Sequence, residues 1–406
     1  MNIYISGVSG TGMGPLALMA KAAGFTVWGS DLAKGAVYDE LIKAGIEVKV
    51  GPQDGGFLQS KIAEGVDWFV HTSALPDDNA ELVMAKKAGI KCTKRDDLTA
   101  FLVRELDLKM VAIAGTHGKT TTTAMIVWSA IRMKLPAAYI VGTTLGFAPS
   151  GAYRKGDKYF VYEADEYDRN FLKYHPWLAI IPAVSYDHPD IYPTIEDYKK
   201  AFEQFESQSE NVVKKSNFRE DCFKLAGSVR RKDATLAAEA ILAMSPEASH
   251  EEIIKILNAF PGVGRRFERI ADGVYTDYAH HPEEIAATMD VAKDEKAMRG
   301  KKGIVVVYQP HQNTRQHEVR KEYFDVFDGA DKIYWLPTYL TRENPDLPVL
   351  KPEELIGGLA NKDVTEAAEI SDELAEKLQK YIDDNYLVIL MTAGLADEWL
   401  RDKFCK

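Results

Sequence analysis

The stretch Gly115-Thr116-His117-Gly118-Lys119-Thr120-Thr121 combines residue types suited to holding phosphate. Its two glycines let backbone N–H groups turn inward, and a helix starting at the lysine adds its partial positive end. Lys119 is placed to reach terminal phosphates, and the Thr120 hydroxyl to ligate Mg²⁺. The usual phosphate loop carries an earlier glycine, five residues before its second. Ile113 stands there, so this loop is the shorter Gly-x-x-Gly-Lys-Thr form. The apolar run Val111-Ala112-Ile113-Ala114 precedes it, and Ala124-Met125-Ile126-Val127-Trp128 follows with helical character. The spacing predicts strand, turn and helix around a nucleotide.

Other polar clusters stand at comparable places. A predicted strand over 159–162 runs into Glu163-Ala164-Asp165-Glu166-Tyr167-Asp168. Four carboxylates in six residues usually make a solvated loop, but at the end of a buried strand one of them suits Mg²⁺. A strand over 177–184 ends in Ser185-Tyr186-Asp187-His188-Pro189-Asp190. Further on, a strand over 273–276 ends in Asp277-Tyr278-Ala279-His280-His281, and one over 304–308 in Gln309-Pro310-His311-Gln312-Asn313-Thr314-Arg315. At the N-terminus, a strand over 2–6 leads into Gly7-Val8-Ser9-Gly10-Thr11-Gly12-Met13-Gly14 and a helix over 15–23. The next strand, 26–29, ends in Ser30-Asp31, where an acidic residue reads a ribose or base in Rossmann-like units. Ser9 replaces the middle glycine of that fingerprint. A strand over 67–70 ends in the small polar cluster His71-Thr72-Ser73-Ala74. Throughout, polar residues gather just beyond the carboxyl ends of apolar strands, where open α/β sheets bind ligands.

The elements that position these clusters divide the chain into three α/β parts. At 406 residues it exceeds one ordinary core, and its 46% hydrophobic and 27% charged content is that of a globular protein. Residues 1–108 form one part, 109–260 a second with the phosphate loop, and 261–406 a third after Pro261-Gly262-Val263-Gly264. Helices are predicted over 195–206, 234–244 and 249–258, the last with Ser249 and Glu252 at capping-box spacing. Residues 207–232 read as irregular. A net charge of −11 argues against broad contact with nucleic acid or anionic membrane. Cys92, Cys222 and Cys405 stand far apart, which suits a reducing compartment. No apolar run has membrane-spanning length, and a cytoplasmic protein is expected.

Together these residues resemble the Mur ligase family, the ATP-dependent amide-forming enzymes of cell-wall precursor synthesis. Gly115-Thr116-His117-Gly118-Lys119-Thr120-Thr121-Thr122, Glu163-Ala164-Asp165-Glu166, Asp187-His188, Gly264-Arg265-Arg266-Phe267-Glu268 and Asp277-Tyr278-Ala279-His280-His281-Pro282 fall in family order. The resemblance spans nearly the whole chain. It implies a Rossmann-like N-terminal domain for a UDP-sugar, a shortened central P-loop ATPase domain and a C-terminal Rossmann-like domain for an amino acid. It also implies ATP and Mg²⁺ as cofactors, UDP-N-acetylmuramate and L-alanine as substrates, no nucleic-acid or membrane partner, and a monomer or homodimer.

By the same resemblance, Gly115, Thr116, Gly118, Lys119, Thr120, Thr121, Arg266 and Asp277 bind ATP, with Asp277 at the ribose. Thr120 and Glu163 hold one Mg²⁺ and His188 a second, although Mg²⁺ prefers oxygen to imidazole. Lys119, Glu163 and His280 are the implied catalytic residues. Gly10, Thr11, Gly12, Ser30, Asp31, Ser73 and His117 are implied on the sugar nucleotide, and Tyr278, His280 and Arg315 around the amino acid.

The sequence also departs from the family pattern. Ala183 stands where the family has Asn, and Gly227-Ser228-Val229-Arg230-Arg231-Lys232-Asp233 lacks the His and both Asn of the segment against adenine. Arg230, Arg231 and Lys232 either contact phosphate or base, or form a solvated basic helix start. Gln312 and Asn313 replace an Arg and an aromatic residue of the alanine-adding member. Two alternatives therefore stand beside alanine ligation: recycling of a preformed tripeptide onto the same sugar nucleotide, and a catalytically weak nucleotide-sugar-binding relative.

Overall fold

The computed structural model describes residues 1–72, 75–188, 191–341 and 343–405. Its backbone is organised by three largely parallel sheets. The first contains β1 (Asn2–Ser6), β2 (Thr26–Asp31), β3 (Glu47–Val50), β4 (Trp68–His71) and β5 (Lys91–Lys94), in the order β3-β2-β1-β4-β5. Ile3, Tyr4 and Ile5 are buried on both faces of the central β1, as a covered parallel sheet requires. The edge strands β3 and β5 are polar and only partly covered, so their sequences carry no apolar run and they were not expected.

The second sheet contains β6 (Lys109–Ile113), β7 (Ala137–Ile140), β8 (Gly151–Ala152), β9 (Tyr159–Glu163), β10 (Leu178–Ile180) and β11 (Val212–Val213), in the order β11-β10-β6-β9-β7-β8. Register pairs Ile113 with both Glu163 and Ile180, so the phosphate loop, the acidic run and the 181–188 segment leave the sheet at one level. The strand expected over 177–184 is only β10. Pro182 has no N–H to donate to a ladder, and Ala183 instead forms an isolated bridge with His117.

The third sheet contains β12 (Glu268–Ala271), β13 (Val274–Asp277), β14 (Ile304–Gln309), β15 (Lys332–Trp335), β16 (Thr365–Ala367) and β17 (Leu387–Thr392), in the order β12-β13-β17-β14-β15-β16. Its central strands β14 and β17 are buried at every residue.

By its contacts the chain forms two compact units, residues 1–223 with 232–261, and residues 224–231 with 262–406. The parts expected at 1–108 and 109–260 thus share most of one unit, and there is a physical reason. One apolar cluster runs from Ile3 and Leu16 through Met110 and Phe160 to Phe202, and Ser150 donates from N and Oγ to Glu40 at 2.7 and 2.9 Å. Helix Ser228–Met244 begins earlier than expected, because residues 228–233 continue it as an ordinary basic first turn. Helix His250–Asn258 is capped by Ser249, whose Oγ accepts from Glu252 N at 3.1 Å. The three cysteines are free, and among the described residues no helix is long and apolar enough to cross a membrane.

Candidate active site

The phosphate loop joins β6 to helix Lys119–Arg132. Gly115 and Gly118 sit at φ +145° and +81°, where a side chain is strained. Space forbids one as well: a Cβ on Gly115 would lie 2.5 Å from Ala183 O, and one on Gly118 2.5 Å from Asp233 Oδ1. Thr116 N donates to Ala183 O at 2.9 Å, while its hydroxyl lies 2.6 Å from Ser185 O and 2.8 Å from Tyr198 Oη. Ala183 therefore holds the loop through its backbone, which the Asn-to-Ala departure preserves. His117 bridges to the same residue, and Thr121 follows in the first helical turn.

Two carboxylates face the start of that helix. Thr120 donates its hydroxyl to Glu163 Oε2 at 2.9 Å, and Gly142 N donates to Glu163 Oε1 at 2.8 Å. Lys119 donates to both oxygens of Glu166, at 3.0 and 2.9 Å, and to Gly115 O. Glu166 is 1% exposed. Burial pushes its pKa up, but His188 and the Lys119 ammonium outweigh this and hold it below the usual carboxylate range. His188, at φ +58°, places Nε2 3.8 Å from Glu166 Oε1 and 3.7 Å from Asp187 Oδ2. Its pKa is lowered by burial and raised further by these carboxylates, for a net rise.

The oxygens of Thr120 and Glu163 lie 2.9 Å apart, close to the roughly 3 Å separation of neighbouring ligands around an octahedral ion with bonds of about 2.0–2.1 Å. The pair fits a Mg²⁺ that takes its other ligands from water and phosphate. Among the described residues His188 makes no hydrogen bond or ion pair with Thr120 or Glu163; its imidazole stands beside the Lys119–Glu166 pair. No set of three His, Cys, Asp or Glu able to hold a metal occurs among the described residues.

In the first sheet, Gly10, Thr11 and Gly12 form the turn before helix Gly14–Ala22. Ser30 and Asp31, expected at the ligand, are hydrogen-bonded to the segment that leads into this turn. Gly7 N and Val8 N donate to Ser30 O at 2.8 and 3.1 Å, and Ser9 N donates to Asp31 Oδ2 at 2.8 Å. The Ser30 hydroxyl is buried and donates to Glu81 at 2.6 Å, beside donations from Tyr4 and Ser6. Sequence reading missed Glu81, since its partners lie 51 to 77 residues away. Ser73 lies outside the described residues.

In the second unit, Asp277 ends β13 with 7% exposure, and its oxygens accept from Phe267 N and Ala279 N, both at 2.7 Å. It thereby fixes the Gly264–Glu268 turn, where Arg265 and Phe267 have positive φ. Arg266 lies over the Tyr278 ring, 5.5 Å from its centroid. His280 places Nδ1 2.9 Å from Tyr278 O and 3.3 Å from Glu284 Oε2, with the His311 ring 5.3 Å away. Burial dominates its pKa and pushes it below that of a free imidazole despite Glu284. Arg315 lies on helix Asn313–Val319, and its Nη1 is buried with no hydrogen-bond partner among the described residues. Asn313 is 1% exposed and clamps the following loop, donating to Pro348 O and accepting from Leu350 N. The basic run of the departed adenine segment is partly spent on structure too: Arg231 pairs with Asp294 at 2.7 Å.

The Mur ligase family catalytic domain matches residues 2–106, the Mur ligase middle domain 113–224, and the Mur ligase glutamate ligase domain 265–394. The UDP-N-acetylmuramate–L-alanine ligase of Fusobacterium nucleatum is 30% identical over 86% of each chain. Its counterpart in Chlorobium chlorochromatii is 31% identical over 97% of this chain and 94% of its own. Among solved structures, the UDP-N-acetylmuramate–alanine ligase of Thermotoga maritima matches at a TM-score of 0.79 and 23% identity, over 99% of this chain and 98% of its own. A murein peptide ligase from Psychrobacter arcticus matches over the same shares at a TM-score of 0.63 and 22% identity. These two structures establish the fold. Three consecutive domain matches and full-length relatives at 30% identity lead to one conclusion: the chain belongs to the Mur ligase family.

Proposed function

We propose that this chain is an ATP-dependent ligase that joins L-alanine to the lactyl carboxylate of UDP-N-acetylmuramate, a step of peptidoglycan precursor synthesis in the cytoplasm. The observation that carries this reading is the pairing of Lys119 with Glu166 beside that of Thr120 with Glu163, at the end of a parallel sheet and in a family member. The names of its relatives support the sugar nucleotide and the amino acid. Residues 1–108 hold the UDP-sugar at the Gly10–Gly12 turn, residues 109–260 hold ATP, and residues 261–406 hold the amino acid, in a monomer or homodimer.

In this reading the N–H groups of the Gly115–Thr121 loop take the ATP phosphates, apart from Thr116 N, which donates to Ala183 O, and Lys119 swings its ammonium from Glu166 to the phosphoryl group in transfer. Thr120 and Glu163 would hold a Mg²⁺, which would supply neutralisation of phosphate charge. The lactyl carboxylate accepts the phosphoryl group, giving an acyl phosphate and ADP; the amine then displaces phosphate and forms the amide. Arg315 pairs the amino acid's carboxylate, and a neutral His280 takes the amine's proton.

The test is acceptor-dependent phosphate release with Mg-ATP and UDP-N-acetylmuramate, comparing L-alanine, glycine, L-serine and the tripeptide, with product masses. Turnover with L-alanine alone is expected. Turnover with only the tripeptide moves the chain to the recycling reaction, and none with any acceptor leaves a binding protein.

A further inference from the structure

The central strand β14 carries a buried hydroxyl that packing does not require. The Tyr308 ring lies against Phe327 and Trp335, with centroids 5.3 and 4.8 Å away, where a phenylalanine ring would fill the same space. A hydroxyl placed there costs desolvation unless it finds partners. It finds two: Tyr308 Oη stands 3.2 Å from His280 O and 2.9 Å from Tyr323 Oη. The Tyr323 hydroxyl donates to Gln316 Oε1 at 2.9 Å, and Gln316 Nε2 donates to His311 O at 3.1 Å. All three side chains are buried. A polar chain thus runs from the backbone of His280 to helix Asn313–Val319, where Gln316 follows Arg315.

The protons do not suffice for every contact in that chain. Because the Gln316 amide turns its N–H to His311 O, its Oε1 can only accept. The contacts His280–Tyr308, Tyr308–Tyr323 and Tyr323–Gln316 then share the protons of two hydroxyls. Burial raises both phenols, Tyr308 well above its usual range and Tyr323 to about 12, so both keep their protons at neutral pH. With Tyr323 donating to Gln316, the Tyr308 proton is divided between Tyr323 Oη and His280 O. Each hydroxyl therefore serves a different end of the chain, and a buried network of this kind fixes the groups it joins.

We infer that Tyr308 and Tyr323 are positioning residues of the acceptor site, the Tyr308 hydroxyl holding the His280 segment and the Tyr323 hydroxyl the helix of Arg315. The inference rests on the reading of His280 and Arg315 as the groups around the amino acid.

Steady-state kinetics of the full chain with Mg-ATP, UDP-N-acetylmuramate and varied L-alanine test it, with Tyr308→Phe and Tyr323→Phe each checked for folding by circular dichroism. Tyr308→Phe keeps the Tyr323–Gln316 bond and strips His280 O of its donor. Its kcat is expected to fall on the order of 10-fold, with the L-alanine KM within about twofold of wild type. Tyr323→Phe leaves the Tyr308 proton wholly to His280 O and strips Gln316 Oε1. Its kcat should stay within about twofold while the L-alanine KM rises on the order of 10-fold. Hydroxyls that only fill the core would give two variants that change alike, or not at all. Either result, or an exchange of the two patterns, overturns the inference and leaves the ligase reading standing. Wild-type protein without L-alanine-dependent turnover overturns that reading and the inference with it.

Discussion

The Lys119 ammonium is held by both carboxylate oxygens of Glu166, at 3.0 and 2.9 Å, and Glu166 is 1% exposed. A phosphate-loop lysine paired this way is not waiting in solvent; a nucleotide must draw it from a buried anion. Removing one partner of such a pair leaves the other charge uncompensated. Lys119→Ala is therefore expected to abolish ligation and to cost on the order of 3 kcal/mol of stability in urea denaturation. Adding Glu166→Gln to that variant should return part of the stability and none of the activity. A double variant no more stable than Lys119→Ala contradicts the pairing argument.

Gly118 is constrained twice, by φ +81° and by Asp233 Oδ1 at 2.5 Å from where a Cβ would stand. Gly118→Ala should reduce ATP affinity at least tenfold by calorimetry while leaving UDP binding unchanged. Native ATP affinity in that variant would mean that the loop tolerates the shift.

His280 supplies a pH dependence whose sign follows from burial. Its folded pKa lies below that of the unfolded chain, so the unfolded state binds more protons in that interval. Its contribution to stability is full above about pH 6.5 and is lost as pH falls through the folded value. The imidazole is accordingly neutral at pH 7 and able to accept a proton. The acidic limb of kcat/KM for the amino acid should lie below pH 6.5, and His280→Gln should remove it with a loss of about 10²–10⁴ in kcat. An unchanged limb in His280→Gln assigns that titration to another group.

Arg315 has a buried Nη1 without a hydrogen-bond partner among the described residues, which an acceptor carboxylate would satisfy. Arg315→Ala should raise the amino-acid KM about 10- to 100-fold and the ATP KM little. The reverse pattern in steady-state kinetics removes Arg315 from the acceptor site.

The phosphate loop, the acidic run and the Asp277–His281 segment were legible in the sequence, because each follows an apolar strand whose end sets its position. What was not legible depends on partners distant in sequence or on polar edges. Ser30 and Asp31 have the types and place of ligand readers; that the Ser30 hydroxyl also donates to Glu81 and Asp31 accepts from Ser9 N could not be read from the sequence. Glu166 read as one carboxylate among four; only the register of β6 with β9 identifies it as the partner of Lys119. Asn313 was read as part of a departure from the family's Arg and aromatic pair, and only its distant partners Pro348 and Leu350 show that it is a buried clamp. The strands Glu47–Val50 and Lys91–Lys94 lack an apolar run because they are edges, and the helix from Ser228 hid behind a basic first turn.

The central claim is that the lactyl carboxylate itself attacks the terminal phosphate of ATP. Its most direct test is ligation of UDP-N-acetylmuramate carrying ¹⁸O in that carboxylate, with mass analysis of the released phosphate. An acyl phosphate predicts one ¹⁸O atom in each phosphate formed with the amide. Amide formation with unlabelled phosphate, or with the label in AMP, would contradict the account.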